Sequence, residues 1–559
     1  MLADDLEAAR YPPLSAPARR FGPATAGTAP QDPFAGLVAP VGRRLDIVCT
    51  RPIHHVLEYE ALFRLTAALR SRLPAAKLHL HLVSAMRDPA PFDLLPVDRV
   101  TRLVSHYGRG TLAAGLRRLA GRWGEPVVVL APPSRWRRTV RAGAGAGPSP
   151  IWPVPLDFST SGSDGGLDLY HASQAGDPDC AAASARFLAA LLREAPRWRR
   201  AAGAPPPLSR RVAGHRLLIH QARFHLGDAL WLTPLLRAIQ AQLRRPRITL
   251  VVPPIAAEAL AGNPHIDELL CYHPRDGEAG RQGVLAHLAG GRFDAALFAF
   301  ARRHESAWLA RAMAAAGVPR RINLEYHDLF LDSRRPHDDF THEGWFFWGA
   351  LPSPRLLLHA LDPLVRADRR DATRLEVYVS AEARRRAGEL LAARGIGELP
   401  FAVLAPGGRS SARWPAASFG RLAAALAGEL GLAVLIEGSP DETALLREVA
   451  AAAAASAGGR PIAVCQDPLD VLAALLERAR LLVGNDSGPL HLAAALGVPS
   501  LYFSPHEKLA HSHPESTAAC WALYDDQAND LRRITVGQAL GALREMRRTG
   551  SICGSAEVC

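Results

Sequence analysis

Apolar residues in this chain fall into short solid runs, and between the runs they recur every three or four positions. The first pattern is that of a buried strand and the second that of a helix with one packed face. Leu45-Asp46-Ile47-Val48-Cys49 reads as a strand, and Glu58 to Leu73 as a helix with Leu62, Leu65, Leu69 and Leu73 on one side. Lys77 to Val83 reads as a half-buried strand from which His79 and His81 alternate outward; Leu112 to Leu119 reads as a helix and Pro126 to Leu130 as a strand. A second series opens at His215. Strand Arg216 to His220 leads through the loop Gln221 to Gly227 into a helix predicted over Asp228 to Leu243, with Leu232, Leu235, Leu236 and Ile239 on one face. Strands follow at Ile248 to Val252 and Asp294 to Phe300, then a helix at Ala307 to Ala316. A third series has helices predicted at Ala381 to Ala393, Ser418 to Leu430, Asp467 to Leu476 and Val536 to Met546, with strands at Phe401 to Ala405 and Leu432 to Glu437. Regular alternation of strand and helix predicts α/β architecture.

Breaks in the pattern set the organisation. Residues 1–40 are rich in Ala, Pro and Gly without periodicity and read as a flexible lead. Residues 141–180 are linker-like, a helix is predicted at Ala181 to Leu192, and Pro205-Pro206-Pro207 marks a boundary. The expected division is a lead over 1–40, an α/β region over 41–200, a second domain over 211–372 and a third over 373–550.

The most informative stretch is Leu481 to Phe503. Leu481-Leu482-Val483 has the length of a buried strand, Gly484 to Gly488 is a turn of small and polar residues, and Pro489 stands where a helix begins. Leu490, Ala493, Ala494 and Leu496-Gly497 give that helix a packing face and a stop, and Ser500 to Phe503 is the next strand. A helix start of this kind presents unpaired N–H groups and a positive dipole end, which suits a phosphate or pyrophosphate. His491 falls in the first turn, where its imidazole can join the backbone donors.

Asp486-Ser487-Gly488-Pro489-x-His491, followed by Leu492-Ala493-Ala494-Ala495-Leu496-Gly497-Val498-Pro499, resembles the C-terminal signature of glycosyltransferase family nine, the ADP-heptose:lipopolysaccharide heptosyltransferases. Leu226-Gly227-Asp228, with Thr233-Pro234-Leu235-Leu236 after it, is similar to the family's N-terminal motif, although Phe224-His225 stand where the family often has two small residues. Gly317 to Ile322 is similar to the short Gly-x-x-x-Arg-Ile segment of the family, and Pro406-Gly407-Gly408-Arg409-Ser410-Ser411-Ala412-Arg413-Trp414-Pro415 to its Pro-Gly-x…(Lys/Arg)-x-Trp-Pro motif. The resemblance implies a GT-B fold of two Rossmann-like domains facing a cleft, preceded here by an extra N-terminal α/β region that it does not cover. It implies inverting transfer of a heptose from ADP-heptose to a lipopolysaccharide core acceptor.

The same resemblance makes Asp228 the catalytic base and sets Arg413 against the diphosphate, with Asp486, Ser487, Gly488, His491, Arg409 and Ser410 on the donor side. The chemistry agrees, since a sugar hydroxyl needs a carboxylate to take its proton as the glycosidic bond forms. By its position alone Asp228 fits equally as a helix N-cap. Asp441 and Glu442 fit a nucleoside ribose or a helix N-cap with a first-turn acid. Tyr326 to Trp348, dense in His, Asp and Arg, reads as an acceptor-contacting loop or, more simply, as a solvated connection.

Composition narrows the partners. Apolar content of 48% and charged content of 21% are globular values. A formal net charge of +12, mostly from dispersed Arg, favours anionic partners. The basic residues are not interleaved with aromatics, which argues against nucleic acid and for a nucleotide sugar, a glycan acceptor and peripheral contact with an anionic inner-membrane surface. No run reaches the length of a spanning helix, and the acidic opening Met1 to Glu7 lacks an apolar core, so a cytoplasmic protein is expected. Ala142 to Pro148 alternates Gly with Ala but follows no strand, which excludes a dinucleotide loop there. Seven scattered cysteines form no CxxC pair, and His54, His55, His79 and His81 have no acidic or thiol partner at ligand spacing. No metal or cofactor is expected, the sugar nucleotide being a co-substrate.

Overall fold

The computed structural model describes residues 44–49, 56–82, 94–102, 127–131, 151–155, 197–223, 225–299, 303–325, 339–345, 353–365, 373–408, 413–454, 459–505, 512–514, 516–525 and 530–552. The lead over 1–40, the helices predicted at 112–119 and 181–192, Phe224, Arg409, Ser410 and most of 326–348 lie outside the described residues, as does the 141–180 linker except Ile151–Pro155, which is a strand rather than linker because it pairs with Val127–Ala131.

Three sheets follow one another along the chain. The first holds β1 (Arg44–Cys49), β2 (Lys77–Leu82), β3 (Arg99–Arg102), β4 (Val127–Ala131) and β5 (Ile151–Pro155) in the order β3-β2-β1-β4-β5, all parallel. The second holds β6 (Arg197–Arg200), β7 (Arg216–Gln221), β8 (Arg247–Val252), β9 (Glu268–Cys271), β10 (Ala295–Ala299), β11 (Arg320–Glu325) and β12 (His342–Trp345), in the order β6-β12-β11-β10-β7-β8-β9. It is parallel except for β6, which pairs antiparallel with β12 at the edge. Arg197–Arg200, placed by the sequence at the end of the N-terminal region, thus serves as the closing strand of the second sheet. The third holds β13 (Phe401–Ala405), β14 (Ala433–Glu437), β15 (Ile462–Cys465), β16 (Leu481–Asn485), β17 (Ser500–Phe503) and β18 (Cys520–Leu523), parallel, in the order β15-β14-β13-β16-β17-β18. In each sheet the strand order reverses direction beside the first strand, which is the doubly wound pattern whose crevice lies at the carboxyl ends of the strands.

β13, β14 and β16 are buried at every position, as strands covered on both faces must be. Alternate residues serve two cores. Ala402, Leu404, Leu481 and Val483 pack with Trp414, Phe419 and Leu543. Val403, Ala405 and Leu482 enter a cluster that also holds Leu217, Ile219, Leu226, Trp231 and Leu235 of the second sheet's unit. The second and third sheets therefore share one apolar core, and this is what fixes the two facing carboxyl edges.

The helix predicted over Asp228 to Leu243 is instead two helices, Leu226–Leu230 and Thr233–Gln242. Pro234 explains the break: it has no N–H to give to a continuing helix, and it sits in the first turn of the second one. The helix Gly488–Leu496 ends at Gly497, whose φ of 72° lies in the left-handed region that closes helices. Among the described residues no helix is long and apolar enough to cross a membrane.

Candidate active site between the second and third sheets

Asp228 lies in the first turn of the helix Leu226–Leu230, which follows β7, and its side chain is buried. The N-cap position is taken by His225, so Asp228 is not the cap. Its Oδ2 instead accepts a hydrogen bond from Arg223 Nε at 2.7 Å. Arg223 was not singled out from the sequence.

Facing it is the helix Gly488–Leu496, with Ser487 as an extended N-cap whose hydroxyl bonds Asn485 O at 3.2 Å rather than closing the helix. Pro489 has no N–H and the Leu490 N–H donates to Ser487 O at 3.1 Å, so the donors this helix start can offer a ligand are the amides of Ser487 and Gly488. The two motif helices touch through their glycines. A Cβ on Gly227 would stand 2.6 Å from Cδ2 of His491, and one on Gly488 would stand 2.8 Å from Cβ of Leu226. The His491 ring is further held edge-on by Trp231, with centroids 5.2 Å apart. Gly227 and Gly488 are glycines because each lets the other motif's side chain lie against the backbone.

His491 is buried between two carboxylates. Its Nε2 is 4.0 Å from Asp486 Oδ1, and the Asp228 charge acts on it as well. Burial dominates and lowers its pKa below the ordinary histidine value, with both carboxylates opposing. The ring is therefore held in its neutral form, and its buried Nδ1 has no hydrogen-bond partner among the described residues. Asp486 is fixed from behind: Ser512 Oγ donates to its Oδ2 at 2.9 Å and Ser504 Oγ at 3.4 Å. Asp486 therefore ties the turn to Ser504 and Ser512. Beside it, the His513 ring takes a 2.7 Å contact with the Tyr502 hydroxyl, and burial pushes its pKa down to about 4.

The glycine loop after β13 packs onto the same turn. Gly408, at φ 129°, lies against Ser487 and Asn485. Asn485 is wholly buried; its Nδ2 donates to the carbonyls of Pro406 at 2.8 Å and Gly407 at 3.1 Å, and its Oδ1 accepts from the Trp414 N–H at 2.9 Å. Arg413 Nε donates to Gly408 O, and its Nη2 stands 3.7 Å from Glu442 Oε1. Glu442 also accepts from Gly408 N at 3.1 Å and forms a capping box with Ser439, the capping arrangement that the sequence left open. Asp441 is exposed in the same turn.

The structure thus brings Asp228, Asp486, Ser487, Gly488, His491 and Arg413 to one place, with Asp441 at its rim. Asn485 is the main positioning residue that sequence reasoning missed; its signal is a polar side chain closing the apolar run Leu481 to Gly484. Asn485→Ala is expected to cost roughly 2–3 kcal/mol, because three buried backbone groups lose their partner. A urea titration of the two proteins checks this. His81 contacts Asp46 Oδ1 at 2.7 Å within the first sheet, and no group of three or more potential metal ligands occurs among the described residues.

Two doubly wound sheets sharing one core, with a buried carboxylate on one carboxyl edge and a free helix start on the other, define the GT-B architecture. The chain aligns over 61% of its length, at 20% identity and a TM-score of 0.51, with 98% of a glycosyl transferase family 9 structure from Veillonella parvula. Also similar are E. coli ADP-heptose lps heptosyltransferase II (20% identity, 60% of this chain and 99% of that one, TM-score 0.47) and E. coli heptosyltransferase WaaC with ADP (16%, 59% and 99%, 0.45). Residues 365–529 match the profile described as glycosyltransferase family 9 (heptosyltransferase). No curated protein sequence matches the chain. The match over residues 365–529 spans the third sheet and supports glycosyltransferase as the class of this enzyme.

Proposed function

We propose that the protein transfers a heptose from ADP-heptose to a lipopolysaccharide core acceptor with inversion at the anomeric carbon. The observation that carries this reading is the meeting of Asp228 with the Gly488–Leu496 helix start and His491 across the shared core. Asp228 takes the proton of the acceptor hydroxyl as its oxygen bonds to the anomeric carbon. The bond from that carbon to the diphosphate breaks on the opposite side, and ADP leaves with the electron pair. The amides of Ser487 and Gly488, the neutral His491 imidazole and Arg413 meet the charge that develops on the leaving diphosphate. Arg409 and Ser410, in the glycine loop by sequence, belong on the same donor side, and Asp441 is set to reach the ribose. These groups supply the neutralisation that a metal would otherwise provide, so a chelator is expected to leave the rate unchanged.

The test is donor profiling. ADP should stabilise the protein against heat more than UDP or GDP at equal concentration, and ADP-heptose should be hydrolysed or transferred in preference to ADP-glucose. A tighter response to UDP or GDP would overturn the donor assignment while leaving the fold untouched. A protein or polysaccharide acceptor with the same donor is the alternative that acceptor screening separates.

Glu437, at the carboxyl end of β14, supplies a separate pH signature. Burial pushes its pKa up to about 8, with the Glu442 charge adding to it. The folded protein holds this proton after the unfolded chain has lost it, so stability falls as pH rises from about 4.5 to about 8. Glu437→Gln should therefore match the parent at pH 5 and exceed it at pH 8.5 by roughly 2–4 kcal/mol. Parallel urea curves at the two pH values would show it; equal differences at both would refute it.

A further inference from the structure

Arg320 is one of the largest side chains that this protein buries completely, and it is buried without a counter-charge. It opens β11 and is 2% exposed. Its Nε and Nη2 have no hydrogen-bond partner among the described residues. Arg321, the next residue, points to the other face of the strand and is tied down there: Nε donates to Asp339 O and Nη1 to Val318 O, both at 2.6 Å. Among the described residues the carboxylate whose charge reaches Arg320 is that of Asp294. It is engaged elsewhere, accepting from Arg216 N at 2.8 Å and lying 3.4 Å from His215 Nδ1.

Basic groups, not acids, stand beside Arg320. Ile322 lies two residues on and shares its face; it is level with His342 of β12, which is level in turn with Arg200 of β6. Burial, and after it the charges of Arg320 and Arg200, pushes the His342 pKa down to about 4. Burial, and after it the Arg200 charge, lowers that of Arg320, with Asp294 opposing. His342 is buried and meets Thr341 Oγ1 through Nδ1 at 3.0 Å, whereas Arg200 is exposed where the chain leaves the sheet edge. The cluster therefore runs from the core to the surface.

A buried cation left unpaired is strongly destabilising, and unsatisfied buried donors in a native protein mark the place of an ion. Nε and Nη2 share one edge of the guanidinium. Their N–H bonds run parallel, at the spacing of two oxygens of one phosphate or carboxylate. A second charge from Arg200 favours the dianion over the carboxylate.

We propose that Arg320, with Arg200 and His342, forms a binding site for a phosphate group at the amino end of the second sheet, separate from the transfer cleft at the carboxyl ends. The group recognised is a terminal phosphate, free or carried as a monoester. This rests on neither the donor nor the acceptor proposed above.

The test is equilibrium dialysis of the full chain against labelled inorganic phosphate, at an ionic strength held constant with chloride. Arg413→Ala accompanies the parent, to separate phosphate bound at the donor side. Both should show a saturable site that Arg320→Met loses, its Kd rising at least about thirty-fold. Arg320→Lys keeps the charge without the fork and should weaken binding about ten-fold. Arg200→Ala changes only an exposed side chain and should weaken it roughly three- to ten-fold, so the proposal is tested even if a buried variant does not fold. Arg320→Met removes an unpaired buried charge. It should unfold at a higher temperature than the parent in phosphate-free buffer and no longer respond to phosphate, whereas phosphate should raise the parent's midpoint. Competition by glycerol phosphate supports a monoester as the ligand, and its failure to compete supports the free ion. Nucleotide release is not read, so a failure here and a failure of the transfer reaction are distinguishable. No saturable site in the parent, its retention in Arg320→Met, its loss in Arg413→Ala, or equal effects of chloride and phosphate would overturn the proposal.

Discussion

Asp228→Asn is expected to lose about 10³-fold in kcat while binding the sugar nucleotide as the parent does. The amide has nearly the shape of the carboxylate but cannot take the acceptor's proton, and general-base steps of this kind carry roughly 10²–10⁴-fold. The donor-side groups, from Ser487 to His491 and Arg413, do not depend on that proton. Arg223 makes the prediction sharper. Its Nε holds Asp228 Oδ2 at 2.7 Å, so it aims the carboxylate. Arg223→Lys, which keeps the charge and loses the planar donor, should lower kcat with a smaller change in KM. Stopped-flow or coupled measurement of nucleotide release, paired with calorimetric binding of the sugar nucleotide, separates the two effects. Loss of donor binding in Asp228→Asn would mean that the carboxylate serves the donor instead.

The second large effect belongs to the glycines at the contact between the motifs. Gly227→Ala places a methyl carbon 2.6 Å from the His491 ring, a distance that cannot stand. The ring is buried and flanked by Trp231, so it cannot swing aside. Relief comes from moving the helix Leu226–Leu230 or by parting the two units, and both displace Asp228 from the helix start it faces. We expect a stability loss of about 1–3 kcal/mol from overpacking and a loss of roughly 10²-fold in kcat/KM from misplacement. Gly488→Ala meets Leu226 Cβ at 2.8 Å and should act in the same way. Because both substitutions strain one contact, the double variant should cost less than the sum of the singles. Additive losses would show that the two glycines act independently.

The sequence was legible where the structure is local. The run Leu481 to Phe503 reads as strand, turn, helix and strand because the apolar run, Pro489 and Gly497 are each near neighbours of what they control. Short edge strands were not legible: β9 and β15 are only partly buried, so their pattern lacks the solid apolar core of β13 or β16. β12 is harder still, since His342-Glu343-Gly344-Trp345 is polar by composition yet pairs on both sides within a charged stretch. The gathering of Asp228 and His491 could not be seen in spacing at all, because it depends on one apolar core being shared by two units distant in sequence. The same holds for Arg223, Asn485 and Ser512, whose partners are set by tertiary packing rather than by periodicity.

The central claim is tested most directly by following release of ADP from ADP-heptose by the full chain, with and without a heptose-deficient lipopolysaccharide acceptor. The account predicts release that depends on the acceptor and is abolished in Asp228→Asn. Release that is indifferent to the acceptor, or that survives the substitution, would contradict it.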